Sequence, residues 1–445
     1  MSSKMRWAMI LSLALVVLVI AVACAPAPTP APTAAPPTAA PKASSASSAA
    51  PAAGGNMEMF SWWTGPGEAD GLAAMYAIYK QKYPGVNIVN ATTAGGAGTN
   101  AKAVLATRLQ GGNPPDSFQL HAGLEVQGYA PEQKLETLDD FYTQQNLAAV
   151  FPAGLISLLK SYGGHFYGVP VNIHRANVLW YSKKLFTANN LNAPVTFDDF
   201  FKVADALKAK GVTAYCYGSH DGFEDANQFE TVLIGKLGAD GYNGLWTGKT
   251  AWTDPKVTDA LNAFKQMLSY SNADHAALTW DGAAQLIVDG KCGMEIMGDW
   301  ENGFFVSKNV AATDYGWAPA PGNAGIFDGL SDSFALPKGA PNRANAINWL
   351  TVAASKEGQE AFNPKKGSIC ARTDCSPALF NAYSQSAIKD WASNSIVPSV
   401  THGAAAIPSW ANAYQTAIAL FADKGDVAGT QTAFQKACVD AGVCK

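Results

Sequence analysis

From residue 57 onwards, short apolar segments alternate with longer segments whose apolar residues recur every three or four positions. This spacing predicts a helix over residues 70–83, which Pro84 ends because proline cannot continue the backbone hydrogen bonds. A second helix is predicted over residues 100–110. Apolar segments of strand length surround the two helices, at residues 57–62, 86–91 and 117–120. The resulting β-α-β-α-β order predicts a mainly parallel sheet covered by helices.

A second series of helices and strands begins near Phe197. Before it, strands are predicted at residues 168–171 and 178–181, on either side of the connecting residues 172–174. We interpret this connection as the crossing into a second lobe. Later strands are predicted at residues 292–297 and 333–336, and the loops beside them are rich in aromatic and acidic residues. Loops at strand ends are where an open α/β sheet presents ligands.

The first residues of the chain cannot build a hydrophobic core and indicate export. A basic start with Lys4 and Arg6 precedes an apolar run over residues 7–23, which ends at Cys24. This order is typical of a secretory signal, residues 1–23, followed by a cysteine that receives a lipid. A transmembrane helix is the alternative, although the run is at the lower limit of length for spanning a bilayer. Either arrangement places the rest of the chain outside the cytoplasmic membrane.

The segment from Cys24 to residue 56 consists almost wholly of Ala, Pro, Ser and Thr, with Lys42 as its only charge. Spaced prolines favour extended conformers, so we expect a semi-rigid stalk. Roughly 390 residues remain, which is more than one hydrophobic core usually serves, and two domains are expected. The formal net charge is −4 and no basic block occurs, which argues against nucleic acid as a partner.

Seven cysteines in an exported chain indicate disulfides, and lipidation of Cys24 leaves an even six. Closeness in sequence pairs the six as Cys370 with Cys375, Cys438 with Cys444 and, as what remains, Cys216 with Cys292. Two buried, unpaired thiols are the alternative for the last pair. No group of cysteines and histidines has the spacing of a zinc site, so we expect no metal.

The chain contains twelve tryptophans, and several lie in loops beside polar residues: Trp62, Trp63, Trp280, Trp300 and Trp317. Indole faces suit the C–H face of a pyranose, and neighbouring carboxylates and amides bind its hydroxyl groups. Core packing is the alternative for any single tryptophan. The sequence has no nucleophile elbow, zinc-protease helix, P-loop or EF-hand loop. A carboxylate pair for glycoside hydrolysis stays open, because its separation is spatial and not sequential.

Several motifs resemble those of the sugar-binding proteins of ABC importers: FSWWTGPGE, YKQKYPGV, SFQLHAG, VPVNIHRANVLWY, MGDW, LSDSFALPKGA and NPKKGSICAR. Together with the signal and stalk, they make the chain similar to extracellular solute-binding protein family 1. Within that family the chain most resembles the glucose- and mannose-binding group, from residue 58 to the helix after Trp410. The resemblance implies a type II periplasmic-binding-protein fold. In that α/β fold each of two lobes is a mainly parallel sheet flanked by helices, and sugar lies in the cleft between them.

The resemblance also implies a domain division and a function. The N-terminal lobe would contain residues 57–170 and 331–369, and the C-terminal lobe residues 171–330 and 370–445. The protein would be a monomeric, non-catalytic lipoprotein without a cofactor, on the outer face of the cytoplasmic membrane. It would close around a monosaccharide, glucose before mannose or galactose, and deliver it to the permease. The alternative is a secreted carbohydrate-active hydrolase that uses a carboxylate pair in a similar cleft.

Matching the motifs residue by residue assigns sugar contacts to ten side chains. The polar contacts are Glu68, Gln119, His121, Asp332, Lys366 and His402, and the aromatic walls are Trp62, Trp63, Trp280 and Trp300. Other roles stay open, because Asp332 could cap a turn, Lys366 could be a surface charge and His402 could pack between the lobes. The sequence departs from the family pattern by one additional residue in the loop before Glu68 and by the cysteine pair after Lys366.

If Cys24 carries the lipid, Cys24→Ser should release the protein from membranes or block its processing, because the thiol is the site of attachment. Membrane fractionation and the mass of the mature chain measure both effects. A variant that is processed normally and stays in the membrane would favour the uncleaved helix instead.

Overall fold

The computed structural model of the protein describes residues 54–445, so the signal, Cys24 and most of the stalk lie outside the described residues. The strands are β1 (Gly55–Ser61), β2 (Val86–Thr92), β3 (Ser117–His121), β4 (Gly168–Pro170), β5 (Asn172–Arg175), β6 (Val178–Ser182), β7 (Thr213–Tyr215), β8 (Cys292–Met297), β9 (Tyr315–Pro319), β10 (Ile326–Leu330), β11 (Asp332–Ala335), β12 (Ile369–Cys370) and β13 (Ser395–Pro398). They form three sheets.

Helices cover the sheets. They are α1 (Glu68–Lys82), α2 (Thr99–Gln110), α3 (Asp139–Gln144), α4 (Ala153–Leu159), α5 (Lys183–Ala188), α6 (Phe197–Lys208), α7 (Phe223–Trp246), α8 (Pro255–Leu268), α9 (Trp280–Val288), α10 (Trp300–Ser307), α11 (Arg343–Ala354), α12 (Lys356–Lys366), α13 (Ala382–Ser393), α14 (Pro408–Lys424) and α15 (Val427–Asp440). The buried face of α1, with Leu72, Met75 and Tyr79, is the one that the helical spacing of the sequence predicts.

The first sheet has the strand order β2-β1-β3-β11-β4. Strand β1 pairs in parallel with β2 and with β3, so the β-α-β-α-β arrangement predicted from the sequence is confirmed. Strand β11 is inserted antiparallel between β3 and β4. Its register places Asp332 opposite His121, which brings together two residues that are far apart in the chain.

The other sheets have the orders β12-β5-β10-β13 and β7-β8-β6-β9. Strand β5 forms where the sequence analysis expected a connection, because β10 and β12 satisfy its backbone hydrogen bonds from both sides. Of the ten strand pairings in the described part of the chain, six are antiparallel and four are parallel. The prediction of mainly parallel sheets was therefore wrong. Local β-α-β order determines the direction only of strands that are close in sequence. Strands β10 and β11 come much later in the chain and pair antiparallel with β5 and β3.

A strand of the first sheet is joined directly to a strand of the second at two adjacent points, and the chain passes between these sheets a third time from β11 through α11 and α12 to β12. Val171 is the only residue between β4 and β5, and Ser331 is the only residue between β10 and β11. The Val171 N–H donates to the Asp332 carbonyl oxygen at 2.9 Å, so the two crossings are hydrogen-bonded to each other. These crossings divide the α/β architecture into two lobes. The exact residues that bound each lobe remain a prediction.

Residues 54–445 contain three disulfides, with the pairing predicted from closeness in sequence: Cys216–Cys292, Cys370–Cys375 and Cys438–Cys444. The alternative of unpaired thiols at Cys216 and Cys292 is wrong. Strands β7 and β8 are parallel neighbours, and the Cα atoms of Cys216, directly after β7, and Cys292, the first residue of β8, are 5.6 Å apart.

Two carboxyl groups, one from β8 and one from α10, are buried in the interior. Glu295 in β8 and Glu301 in α10 are fully buried, and their carboxyl oxygens have no hydrogen-bond partner among the described residues. Burial raises the pKa of both groups well above the usual value, and the charges of Glu301 and Glu224 raise the pKa of Glu295 further. The folded protein therefore holds protons that the unfolded chain releases at neutral pH.

Glu295→Gln should stabilise the protein at pH 8. The unfolded pKa is near 4.5 and the folded pKa is raised, so wild-type stability falls as pH rises between the two values, by about 1.4 kcal/mol per pH unit. The glutamine variant has no proton to lose, so its advantage should grow from pH 5 to pH 8 in thermal unfolding. The exposed Glu132→Gln is the matched control. Equal pH dependence of Glu295→Gln and wild type would contradict the prediction.

Candidate functional site

A cavity of about 520 Å³ lies where strand ends and the first residues of several helices come together. Nine of the ten residues that the sequence analysis assigns to sugar contacts line it: Trp62, Trp63, Glu68, His121, Trp280, Trp300, Asp332, Lys366 and His402. The tenth, Gln119, lies behind the cavity surface. Its Nε2 donates to Asp332 Oδ1 at 2.8 Å, and its Oε1 accepts from the Trp62 backbone N–H at 3.3 Å. Gln119 therefore supports two cavity residues instead of lining the cavity itself.

The carboxylate of Asp332 is 3% exposed and is surrounded by donors. Besides Gln119, Asn172 donates through Nδ2 to Oδ2 at 2.8 Å. The Nε2 atoms of His121 and His174 lie 3.6 and 3.4 Å from Oδ1 and Oδ2 respectively. Burial by itself would raise the pKa of Asp332, but the hydrogen bond and charge of His174 and the charge of His121 lower it far below its usual range. Asp332 is therefore ionised at neutral pH, and it begins a strand instead of capping a turn.

His174 lines the cavity and belongs to the NIHR motif, although the sequence motifs predict no sugar contact for it. Its Nδ1 is hydrogen-bonded to Oδ1 of Asp299, whose Oδ2 accepts from the Arg175 backbone N–H at 3.0 Å. Burial lowers the pKa of His174, but the charge of Asp299 and the interactions with the carboxylates of Asp299 and Asp332 together outweigh burial, and the net shift is upwards. Side chains alternate between the two faces of a strand, so residues 172 and 174 lie on the same face. This pattern indicates that His174 belongs to the site, but it could not be used because β5 was not predicted.

Glu125 and Lys102 lie behind His121. The Nδ1 of His121 is 2.7 Å from Oε2 of Glu125, and Lys102 Nζ donates to the same oxygen at 2.9 Å. Burial would raise the pKa of Glu125, but the charges of Lys102 and His121 lower it to about 2. His402 faces this group, and burial together with the positive charges of His121 and Lys102 lowers its pKa well below the usual value. His402 is therefore neutral, and it both lines the cavity and packs in the interior.

Lys366 and Glu68 form an ion pair at the cavity wall, with 3.2 Å between Nζ and Oε1. Lys366 is 2% exposed, so the alternative of a surface charge is wrong. Its Nζ lies 5.9 Å from the ring centre of Trp63. Gly303 in α10 allows this arrangement, because a Cβ there would lie 2.4 Å from the Lys366 carbonyl oxygen. Any side chain at position 303 would push the lysine segment away from the cavity.

Indole and imidazole rings form the apolar part of the wall. The ring centres of Trp62 and His121 are 5.1 Å apart, and those of Trp300 and His402 are 5.2 Å apart. Gly98 has a φ of 98°, and a Cβ there would lie 2.8 Å from the Trp62 ring, so only glycine fits. Fixed rings of this kind can select the orientation of a flat ligand face.

Two pairs of loops approach each other at the mouth of the cavity. A Cβ at Gly65 would lie 3.5 Å from the Trp280 ring, and one at Gly95 would lie 3.5 Å from Oδ1 of Asp221. The polar residues Asn100, His220, Asp221 and Asp281 also line this outer region and were not predicted. They occur in loops or at helix starts without a periodic pattern, and only the tertiary structure places them at one opening.

Within residues 54–445, no three histidine, cysteine, aspartate or glutamate side chains are arranged to hold a metal ion. Over the same residues, none of the helices combines the length and the apolar character that crossing a bilayer requires.

Residues 54–360 match the family model of the bacterial extracellular solute-binding proteins. An uncharacterised ABC transporter extracellular-binding protein of Pyrococcus horikoshii is 37% identical over 354 residues, which cover 78% of this chain and 79% of that protein. A probable sugar-binding periplasmic protein of Rhizobium meliloti is 31% identical over 356 residues, covering 78% and 84%. The glucose-binding protein GlcS of Saccharolobus solfataricus is 26% identical over 334 residues, covering 69% and 59%.

Among solved structures, the bacterial solute receptor AcbH superposes with a TM-score of 0.77 at 21% identity, covering 87% of this chain and 99% of the receptor. AcbH is described as having an exclusive preference for β-D-galactopyranose. The similarity confirms the predicted type II periplasmic-binding-protein fold, with mixed instead of mainly parallel sheets.

Fold and cavity define a two-lobed, substrate-binding protein. The chain belongs to the bacterial extracellular solute-binding proteins, an extracytoplasmic family. Proteins of this kind bind their substrate without transforming it, so the alternative of a hydrolase does not hold.

Asp332→Asn should destabilise the protein at neutral pH by about 2 kcal/mol or more, because an amide places a donor where donors already converge. The folded pKa of Asp332 lies below the unfolded value of 3.8. Ionised Asp332 therefore stabilises the fold above about pH 4, and this contribution is lost as pH falls towards the folded pKa. The difference in unfolding free energy between wild type and variant, measured by urea denaturation, should shrink from pH 7 to pH 3. The exposed Asp440→Asn is the control, and equal stability of Asp332→Asn and wild type at pH 7 would refute the idea.

Proposed function

We propose that this solute-binding protein binds sugar: it captures a monosaccharide, with glucose as the preferred ligand, and delivers it to the permease of an ABC transporter. The observation that carries the proposal is the composition of the cavity wall. Tryptophan rings stand beside an ionised carboxylate and a lysine–glutamate pair, all on segments far apart in the sequence. The glucose-binding relative GlcS and the galactopyranose receptor AcbH support a hexose as the ligand.

The charges of the cavity support an uncharged ligand. Lys366 is paired with Glu68, and Asp332 is enclosed by amide and imidazole donors. These paired charges leave the inner part of the cavity without a strong net charge to attract an ion, but they can accept from and donate to hydroxyl groups. Hydrogen bonds to charged groups contribute roughly 1.5 to 3 kcal/mol each, and a sugar has several hydroxyl groups to offer. Tryptophan rings would cover the C–H faces of the sugar and exclude water.

The motion that we propose is a hinge closure between lobes bounded as the family resemblance implies. The two adjacent crossings at Val171 and Ser331 support this, because few backbone torsions would need to change there. The approaches of Gly65 to Trp280 and of Gly95 to Asp221 would then form as the mouth closes. The rest of the proposal concerns residues that precede the described region: a lipid on Cys24 and a semi-rigid stalk would hold a monomer at the outer face of the cytoplasmic membrane.

A glucose titration tests the proposal. Because the ligand would bind only the folded state, the unfolding temperature should rise with the logarithm of glucose concentration above the dissociation constant. Mannose, galactose and short oligosaccharides should be compared in the same assay. If millimolar glucose left the unfolding temperature unchanged and another sugar raised it, glucose would be the wrong ligand, but a sugar would remain the class of ligand.

Trp280→Ala should weaken glucose binding by about tenfold, because it removes one aromatic wall at the mouth. Trp317→Ala is the matched control, since Trp317 is also partly buried but does not line the cavity. Isothermal titration calorimetry measures both. Equal losses in the two variants would show that general destabilisation, and not sugar contact, explains the effect.

A further inference from the structure

Carboxylate and imidazole groups alternate along the floor of the cavity, in the order Glu125, His121, Asp332, His174, Asp299. The joined atoms are Glu125 Oε2 and His121 Nδ1 at 2.7 Å, His121 Nε2 and Asp332 Oδ1 at 3.6 Å, and Asp332 Oδ2 and His174 Nε2 at 3.4 Å. His174 Nδ1 is then hydrogen-bonded to Asp299. All five side chains are at least nine-tenths buried. Glu125 and Asp299, at the two ends, do not line the cavity.

We propose that Glu125 and Asp299 are positioning residues for the sugar site. Each would hold Nδ1 of one cavity histidine, so that His121 and His174 present their Nε2 atoms to opposite oxygens of Asp332 and to the ligand. The inference rests on the proposed function, and it names residues that act through the histidines without touching the sugar.

The chemistry of the groups supports this role. An ionised carboxylate only accepts hydrogen bonds, so the nitrogen that faces it must carry the proton. Glu125 and Asp299 therefore fix protonated Nδ1 atoms, and only Nε2 of each ring is left to interact with Asp332 or a sugar hydroxyl. Without these carboxylates each ring could rotate or lose its Nδ1 proton, and the donor pattern facing the sugar would no longer be defined.

Both carboxylates are themselves held in place. Glu125 accepts from Lys102 Nζ at 2.9 Å, and its backbone N–H donates to the Gly403 carbonyl oxygen at 2.9 Å. Asp299 accepts from the Arg175 backbone N–H at 3.0 Å, and its own N–H donates to the Arg175 carbonyl oxygen at 2.9 Å. The two ends of the row are thus tied to different parts of the fold.

Other charged and titratable groups face the row. Lys102 adjoins the His121 end, and Lys366 and the neutral His402 adjoin its middle. The charge of Asp299 raises the pKa of His174, whereas Lys366 lowers it. Loss of the Asp299 charge should therefore lower the pKa of His174, and the affinity for sugar should depend on pH in a range where wild type does not.

Nitrogen NMR of the histidine rings in sugar-free protein tests the positioning directly. Glu125→Gln should shift the ring nitrogens of His121, and Asp299→Asn should shift those of His174 and lower its pKa. The exposed pair of Asp139 and His165, 2.6 Å apart, gives a matched control: Asp139→Asn should shift only His165. Unchanged His121 nitrogens in Glu125→Gln, together with unchanged His174 nitrogens in Asp299→Asn, would overturn the proposal.

Glucose calorimetry on the same proteins tests the consequence. Glu125→Gln and Asp299→Asn should each weaken binding about tenfold at pH 7, the loss expected for one well-aligned hydrogen bond, while Asp139→Asn should bind as wild type does. Shifted nitrogens with unchanged affinity in both variants would overturn the role in sugar binding. If wild type itself bound no glucose, the proposed ligand would be wrong, and the NMR result would still decide the positioning. Should Asp299→Asn fail to fold, as judged by circular dichroism, Glu125→Gln decides alone.

Discussion

The burial of one ionised carboxylate, that of Asp332, is the constraint on which the centre of the molecule depends. An unpaired charge in the interior would cost several kcal/mol, so the fold has to bring donors to both oxygens. It does so with Gln119 and His121 from β3 and with Asn172 and His174 from β5. These two strands belong to different sheets. The same charge therefore joins the sheets and forms the floor of the ligand cavity.

The position of Asp332 explains why stability and binding cannot be separated at this site. It is the first residue of β11, directly after the crossing residue Ser331, and its carbonyl oxygen accepts from the other crossing residue, Val171. Side chains that recognise a ligand thus lie on the backbone segments that join the lobes. If the lobes close as we propose, the floor of the cavity is the region that moves least, and the outer loops carry the motion.

Small residues determine the positions of the cavity walls as much as the large ones do. Gly98 permits the Trp62 ring to lie against its backbone, and Gly303 permits the segment with Lys366 to lie against α10. Each contact is closer than a Cβ would allow. The tryptophans that suggest sugar binding in the sequence need these glycines in order to face a common space.

The sequence by itself determined the α/β class, the parallel β1, β2 and β3 unit, the two disulfide pairs between cysteines close in sequence and the residue types of the wall. These follow from local periodicity, from closeness in sequence and from motifs. Only the tertiary structure decided that the sheets are mixed, that β5 exists, that Gln119 lies behind Asp332, and that His174 and Asp299 belong to the site. The physical reason is that a strand such as β5, or a buried pair such as His174 and Asp299, is stabilised by partners far away in the chain. Hydrogen bonds between such distant residues produce no periodic pattern in the sequence.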